Sequence, residues 1–288
     1  MPNSNVIAFQ GFHGAYSDLS CRTVFPDMTT LPCATFDDAF AAVRDGRAAL
    51  AMIPVENSLA GRVADNHYLL PEGGLHIIGE HFHRVRHQLL APKGATLAGL
   101  KTVRSHIQAL SQCQNTTREL GLKAITHADT AGAAAEIAKL NDPQHAAIAS
   151  SLAAEIYGLD ILKADIEDAQ HNTTRFLILA REPKIPPAGS GTIMTTFVFR
   201  VRSVPAALYK ALGGFATNGI NMTKLESYMI NGRFTAAQFY VDVEGHPDER
   251  SLQLALEELS FFAREVKILG VYPANPFRHQ ESQMQGED

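Results

Sequence analysis

The sequence predicts an α/β protein, and two observations carry the prediction. Over the first two thirds of the chain, short apolar runs alternate with segments of helical spacing, which is typical of a mostly parallel sheet covered by helices. A Pro/Gly-rich stretch at 183–191 then separates this region from a shorter part with a different order of elements. At 288 residues the chain has room for two domains.

The elements of the first region follow from their apolar patterns. Buried strands are predicted at 6–10, 48–55, 101–104, 123–127, 146–149 and 175–179. Helices are predicted at 17–25, 37–44, 106–120 and 130–140, several beginning at Ser, Thr or Asp. The segment 75–90 is extended in character, and we interpret it as a crossover between two lobes.

The region after the linker has the pattern of a ferredoxin-like domain. Its predicted order is strand 192–201, helix 205–216, strand 222–230, strand 234–243, helix 248–263 and strand 266–272. Asn231-Gly232 between the two middle strands is a hairpin signal. Such domains pair through their edges, which predicts a homo-oligomer. The polar residues after 280 are predicted to be frayed.

Composition excludes several classes of protein. A formal net charge of −5 argues against a nucleic-acid-binding protein. Three widely spaced cysteines, Cys21, Cys33 and Cys113, suggest neither a disulfide framework nor a zinc site. No apolar run reaches the roughly 20 residues of a membrane span, and no signal peptide is recognisable, so we expect a cytoplasmic protein without membrane partners.

Polar residues follow several predicted strands, where α/β proteins bind ligands. They are the turn 11–17 with Ala15 and Tyr16, Glu56-Asn57-Ser58, Ser105-His106, Asp129-Thr130, and Asn172-Thr173-Thr174. Each has a structural alternative, because Ser17, Ser58, Ser105 and Asp129 are also ordinary helix N-caps. Their convergence predicts a site for a ligand that carries carboxylates, without naming a reaction.

The histidines His81, His83 and His87 form a run that also contains Arg84 and Arg86. On a strand all three would share a face, but the arginines would repel a cation, so we expect structural histidines and no metal. The sequence has no Walker loop, dinucleotide fingerprint or nucleophile elbow, and no cofactor is expected.

Taken together, the motifs resemble the prephenate dehydratase family. Residues 53–58 (Ile-Pro-Val-Glu-Asn-Ser) and 172–176 (Asn-Thr-Thr-Arg-Phe) are similar to its two specific signatures. The turn 11–17, the segment 105–113 and Asp129-Thr130-Ala131 are similar to further family elements in the same order. The resemblance covers residues 6–180, and residues 204–229 resemble the phenylalanine-sensing ACT domain that follows in this family.

The resemblance implies a two-lobed catalytic domain of the periplasmic-binding-protein type (type II) and a ferredoxin-like ACT domain. The predicted bounds are 1–182 for the catalytic domain, with crossovers near 75–85 and 170–176, 183–191 for the linker, 192–280 for the ACT domain and 281–288 for the tail. The implied reaction converts prephenate to phenylpyruvate without a cofactor in L-phenylalanine biosynthesis. A homodimer or homotetramer inhibited by phenylalanine is expected.

The resemblance also implies roles for individual residues. Thr174 is the first choice for contact with the leaving hydroxyl, and Glu56 is the proton reservoir if burial raises its pKa. Asn57 and Gln112 would fix polar groups of the substrate. The remaining predicted substrate contacts are Ser58, Ser105, His106, Thr130, Arg175, Phe176, Ala15 and Tyr16. For Arg175 the alternative is a structural ion pair.

The predicted effector site departs from the family pattern. The usual Gly-Ala-Leu is Ala206-Ala207-Leu208, and the usual Glu-Ser-Arg-Pro is Glu226-Ser227-Tyr228-Met229. Residues carried over for phenylalanine binding are Leu208, Asn221, Glu226 and Ser227, with Ala206 and Ala207 beside them. Two alternative functions remain at this point: an arogenate dehydratase, and a non-catalytic two-lobed sensor.

Overall fold

The computed structural model describes residues 5–202, 204–230 and 233–279. Contacts divide the chain into two units. The first unit runs to Ala64 and continues from His81 to Phe176, and the second contains Asp65–Glu80 and the chain from Leu177 on. The domain boundary that we predict at 182–183 stays a prediction, and so do the two lobes.

The helices and strands up to residue 180 are, in chain order, β1 (Val6–Gln10), α1 (Tyr16–Val24), β2 (Thr29–Cys33), α2 (Phe36–Arg44), β3 (Leu50–Asn57), β4 (Gly61–Arg62), α3 (Ala64–Glu72), β5 (His76–Arg84), β6 (Gln88–Ala91), β7 (Thr102–Ser105), α4 (Ile107–Ser111), α5 (Gln114–Glu119), β8 (Lys123–Thr126), α6 (Thr130–Leu140), β9 (His145–Ala149), α7 (Ser151–Tyr157), β10 (Asp160–Lys163) and β11 (Thr173–Ala180). After these follow β12 (Ile193–Val201), α8 (Ala207–Thr217), β13 (Met222–Ile230), β14 (Arg233–Glu244), α9 (Arg250–Phe262) and β15 (Ala263–Pro273).

The first unit contains two sheets. In one, β1 lies between β2 and β3 and pairs with both in parallel. In the other, the strand order is β10-β6-β9-β7-β8, with β7 parallel to β8 and β9 and with β6 antiparallel to β9 and β10. The strands are buried because they are apolar throughout: Ile7, Ala8 and Phe9 of β1 are fully buried. The α/β prediction is therefore confirmed.

The predicted helix 106–120 is wrong in one respect, because it is two helices. α4 ends at Ser111 and α5 begins at Gln114. The carboxylate of Asp168 accepts hydrogen bonds from the backbone N–H groups of Gln114 and Asn115 at 2.9 and 3.1 Å, so it caps the start of α5. Five further elements are not predicted by the sequence: β2, β4, β10, α3 and α7.

The second unit has the predicted βαββαβ order. The strands lie in the order β13-β14-β12-β15, with antiparallel pairing, as in a ferredoxin-like sheet. Helices α8 and α9 pack on an apolar face of the sheet that includes Phe197, Phe199 and Val241, and α8 contributes Phe215 to the same core. Residues 183–191 form neither helix nor strand. The predicted turn at Asn231-Gly232 and the tail 281–288 lie outside the described residues.

Within the described ranges, no helix combines the length and the apolar character that crossing a membrane requires.

Candidate active site

The site is built where β3 ends and β11 begins. The backbone N–H of Ser58 donates to the Thr173 carbonyl at 2.8 Å. The side chain of Asn57 bonds that of Thr174, and the side chain of Glu56 bonds that of Arg175. Since successive side chains of a strand point to opposite faces, Asn57 and Thr174 lie on one face and Glu56 and Arg175 on the other. The two signature motifs are thus neighbours in space.

Asn57 holds Thr174 in place. Its Nδ2 donates to Thr174 Oγ1 at 2.9 Å and to Asn172 Oδ1 at 2.7 Å. Its Oδ1 accepts the backbone N–H groups of Leu59 and Ala60 at 3.0 and 2.9 Å. Because Thr174 Oγ1 accepts the bond from Asn57, the hydroxyl hydrogen of the half-buried Thr174 is left to donate elsewhere.

The network continues from Asn172 to the break between α4 and α5. Asn172 is buried, and its Nδ2 donates to Gln112 Oε1 at 2.9 Å. Gln112 is half-buried at the end of α4, where Asp168 N donates to its carbonyl at 2.7 Å. The helix break that the sequence analysis missed therefore positions a predicted site residue.

Beyond Gln112, the hydrogen-bond network continues to His87 and Tyr16. His87 Nε2 lies 3.0 Å from Gln112 Oε1, and His87 Nδ1 lies 2.8 Å from the Tyr16 hydroxyl. Burial lowers the pKa of His87, although the bond to Gln112 and the charge of Glu167 act in the other direction, so the imidazole is neutral at physiological pH. Burial also raises the pKa of Tyr16 well above its usual range.

Glu56 and Arg175 form an ion pair. Arg175 Nη1 donates to Glu56 Oε1 at 3.0 Å, the Arg175 side chain is 2% exposed, and its guanidinium lies over the Phe82 ring, 5.9 Å from the centroid. This contact matches the structural alternative that the sequence left open for Arg175. A neighbouring cation favours the ionised form of Glu56 over the protonated one that a proton reservoir needs.

Several other predicted substrate contacts hold the chain together. Ser58 Oγ donates to the His171 carbonyl at 2.8 Å, and the fully buried Ser105 donates to the Ile148 carbonyl at 2.6 Å. His106 is the N-cap of α4. Phe176 is 1% exposed, so it contributes to the core.

The N-termini of α1 and α6 differ in how they are capped. Thr130 begins α6, whose N-cap is Asp129. The N-cap of α1 is Ala15 and not Ser17, and Ala15 makes no side-chain capping bond. The Asp18 carboxylate in the first turn of this helix accepts the backbone N–H of Gly14 at 2.9 Å. The preceding Gly14 has φ +87°, and a Cβ there would lie 2.8 Å from Ala153 Cα. Only glycine fits this turn.

The predicted effector residues all lie in the second unit. Glu226 on β13 accepts a bond from Lys224 Nζ at 2.8 Å, and its Oε2 lies 3.3 Å from Nε2 of the buried His67 on α3. Asn221 Nδ2 donates to Glu244 Oε2 at 3.0 Å, and Ser227 is exposed. Leu208 packs against the apolar core, and Ala207 is buried beside it. Ala206 precedes α8 with φ +59°.

Two residues of the network, Asn172 and His87, have no individual role in the expectations from the sequence. Asn172 stands inside the quoted 172–176 motif but was given no role, and His87 was assigned to a structural histidine run. A buried asparagine beside two site residues is a signal that only spatial proximity makes visible, because neither Asn57 nor Gln112 is its neighbour in sequence.

These features define a class: an α/β protein with a cluster of fixed amide and hydroxyl donors where the adjacent strands β3 and β11 meet, suited to a small polar ligand. Comparisons with known proteins identify the family within this class. A family model described as prephenate dehydratase matches residues 7–184. The chain therefore belongs to the prephenate dehydratase family.

The chain is similar to two curated proteins over nearly all its length. It is 56% identical to the bifunctional N-acyl-homoserine lactone acylase/prephenate dehydratase of Komagataeibacter europaeus, covering 97% of this chain and 100% of that protein. It is 43% identical to arogenate dehydratase/prephenate dehydratase 2, chloroplastic, of Arabidopsis thaliana, covering 93% of this chain and 73% of that protein.

Two solved structures have the same fold. GqqA, described as a novel type of quorum quenching acylase, has a TM-score of 0.90 at 56% identity and covers 95% of this chain and 99% of its own. Prephenate dehydratase from Arthrobacter aurescens in complex with L-Phe has a TM-score of 0.85 at 27% identity and covers 98% of both chains.

Proposed function

We propose that the protein converts prephenate to phenylpyruvate. In this reaction the bond from a ring carbon to a carboxylate breaks and releases carbon dioxide. Its electron pair enters the ring as the opposite carbon loses hydroxide, which leaves as water once it has received a proton. Aromatisation drives the reaction, so the protein has to position the substrate and supply a hydrogen bond or proton to the departing oxygen.

One observation carries the proposal: Thr174 is held as a hydrogen-bond donor. Asn57 occupies an acceptor position of Thr174 Oγ1 at 2.9 Å, which leaves the hydroxyl hydrogen for the leaving group. A threonine hydroxyl is a poor free acid, so we assign it as a positioned donor or relay. Asn57 positions Thr174, and Gln112 holds a polar group of the substrate.

For Glu56 and Arg175 we propose a supporting role. The ion pair lies on the opposite face of the strands from Thr174, and its arginine is almost fully buried. Removing the Glu56 charge would leave a buried guanidinium without this partner, which destabilises proteins strongly. The pair thereby fixes the register of the two signature motifs.

The test is turnover of the purified protein on prephenate and on arogenate in direct competition. We expect phenylpyruvate from prephenate, read by its absorbance in alkali. Turnover of arogenate alone would reassign the substrate to the form that carries an amino group. If the protein turns over neither prephenate nor arogenate but binds one of them tightly, the alternative function, a two-lobed sensor, is favoured over an enzyme.

We also propose that phenylalanine regulates the protein through an ACT domain formed by the second unit. Helix α3 belongs to the segment that matches the family model, yet it packs in the second unit, where His67 meets Glu226 and Tyr228. The helix follows Glu56-Asn57-Ser58 closely in the chain, which supports a connection through the backbone between the Glu226 contact and the signature motif. The relative from Arthrobacter aurescens was solved with L-Phe.

The test of regulation is inhibition of turnover by phenylalanine in the wild type and in Glu226→Gln. We expect inhibition that is weakened by the substitution, with turnover in the absence of effector retained. A wild type whose turnover ignores phenylalanine would mean that the altered 226–229 motif no longer serves this effector. A homodimer or homotetramer, measured by light scattering, would supply the assembly that transmits the effect.

Acylase activity is a second candidate, favoured by 56% identity to a relative that carries this activity in its name. A cysteine nucleophile is not favoured in this chain, because Cys21, Cys33 and Cys113 are buried and burial raises the pKa of each thiol. The activity is tested by release of homoserine lactone from an N-acyl derivative. Release that survives replacement of Thr174 would place it at a separate site.

A further inference from the structure

We infer that His87 is a positioning residue for the reaction: it fixes the amide of Gln112 so that the amide nitrogen is presented to the substrate. The inference rests on the proposed function. It follows from the direction of each hydrogen bond along a row of six side chains, from Tyr16 to Thr174. Two backbone N–H groups determine these directions.

The direction is set first at Asn57. Backbone N–H groups can only donate, so the Asn57 atom that faces Leu59 and Ala60 is its oxygen. The Asn57 nitrogen therefore faces Asn172 at 2.7 Å, and the Asn172 atom that it meets is the oxygen. The ambiguity between amide oxygen and nitrogen is removed at both residues.

The same reasoning reaches Gln112. Since the oxygen of Asn172 faces Asn57, its nitrogen faces Gln112, and the Gln112 atom at 2.9 Å is an acceptor. Gln112 Oε1 thus receives one bond from Asn172 and lies 3.0 Å from His87 Nε2. The second contact is favourable only if His87 carries its hydrogen on Nε2.

His87 satisfies this condition. His87 is 2% exposed and neutral, so with the hydrogen on Nε2 its Nδ1 is an acceptor. The Tyr16 hydroxyl lies 2.8 Å from Nδ1 and 3.0 Å from the Arg86 carbonyl, and its one hydrogen is shared between these two acceptors. The backbone N–H of His87 donates to Glu167 Oε2 at 2.9 Å, which holds the residue itself in place. With the Tyr16 hydrogen shared in this way, the bond directions agree from Tyr16 to Thr174.

The consequence is a defined orientation for the Gln112 amide. With Oε1 held by two donors, the NH₂ group points away from His87 and Asn172, and no other described residue takes its hydrogens. Without His87 the oxygen would be held by Asn172 alone, and the amide could rotate. The network thus presents two donors, the Gln112 amide and the Thr174 hydroxyl, to one ligand.

The experiment is a double-mutant cycle between His87 and Gln112, measured as kcat/KM on the substrate that the wild type turns over. We expect His87→Leu to lower kcat/KM at least about tenfold, the order expected for one lost hydrogen bond. In the Gln112→Ala background the same replacement should change kcat/KM by less than about twofold, because the two residues act as one unit. His87→Gln, whose amide nitrogen can reach the position of Nε2, should restore most of the activity.

Two controls separate positioning from folding. His145→Leu removes a histidine that bonds Thr102 on β7 and should leave kcat/KM unchanged. Thermal unfolding is measured for every variant; if His87→Leu does not fold, the cycle is run with Tyr16→Phe, which removes the donor to Nδ1. Equal losses with and without Gln112, or a His87→Leu enzyme of wild-type activity, would overturn the inference. A wild type inactive on both substrates would instead overturn the proposed function.

Discussion

A threonine hydroxyl is a weak acid, and its usefulness at position 174 depends on where its hydrogen points. Asn57 directs that hydrogen by donating to the oxygen. Asn57 is itself fixed by backbone N–H groups, which cannot reverse their direction. The chemistry proposed for one residue therefore depends on amides that make no contact with the leaving group.

Thr174→Ala is expected to lower kcat about 10²–10³-fold, as does loss of one hydrogen-bond donor to a developing charge in other enzymes. Thr174→Ser keeps the hydroxyl and should stay within about tenfold of wild type. Thr173→Ala is the matched control, because Thr173 bonds Asn57 and Ser58 through its backbone carbonyl and N–H. Steady-state kinetics measure all three. Unchanged turnover in Thr174→Ala would remove the proposed role.

Ala206 carries a cost that the usual glycine would not. Its φ of +59° and ψ of +18° lie in the left-handed region, where a Cβ is strained. Ala206→Gly is expected to raise the free energy of unfolding by about 0.5–1 kcal/mol, net of the extra freedom of glycine in the unfolded chain. Urea unfolding measures it. Ala211→Gly, in the interior of α8, should lower stability, and a loss in both variants would contradict the strain argument.

At the scale of elements, the break between α4 and α5 places Gln112 in the site. Helical spacing continues through residues 106–120, so local sequence alone favours one helix. The carboxylate of Asp168, which is distant in sequence, caps the N-terminus of α5, so a new helix begins there instead of α4 continuing. Gln112 stands at the break and can turn towards Asn172 and His87.

Asp168→Ala is expected to destabilise the protein by about 1–2 kcal/mol, the value of a lost helix cap. It should also lower kcat/KM, since Gln112 is positioned by the same break. Asp168→Asn keeps an acceptor oxygen, so its stability and its kcat/KM should both fall less than those of Asp168→Ala. Chemical unfolding and kinetics are measured on the same preparations. A stable, fully active Asp168→Ala protein would show that the break has another cause.

At the scale of the whole molecule, the buried His87 and the partly buried His81 and His83 make stability depend on pH. Burial lowers the pKa of His81, His83 and His87, that of His83 to about 4, with the charge of His81 adding to the shift at His83. The unfolded chain binds these protons near pH 6.5, so below that pH it holds more protons than the folded protein. Acid therefore favours unfolding.

The free energy of unfolding is expected to fall as pH decreases from 6.5 to about 4, by up to ~1.4 kcal/mol per pH unit for His83 alone. Below pH 4 the contribution of His83 is constant. Urea unfolding at several pH values measures the slope, and His83→Gln should reduce it. If the free energy of unfolding varies with pH equally in wild type and His83→Gln, His83 is not a source of the pH dependence.

The sequence by itself determined the α/β class, the βαββαβ order and the family, because apolar periodicity and the 53–58 and 172–176 motifs are local in the chain. It could not give the helix break, the pairing of Glu56 with Arg175, or the roles of Asn172 and His87. Each of these depends on a partner between 25 and 119 residues away in the chain. Only the tertiary structure brings such partners within hydrogen-bond distance, and hydrogen bonds act at about 3 Å whatever the separation in sequence.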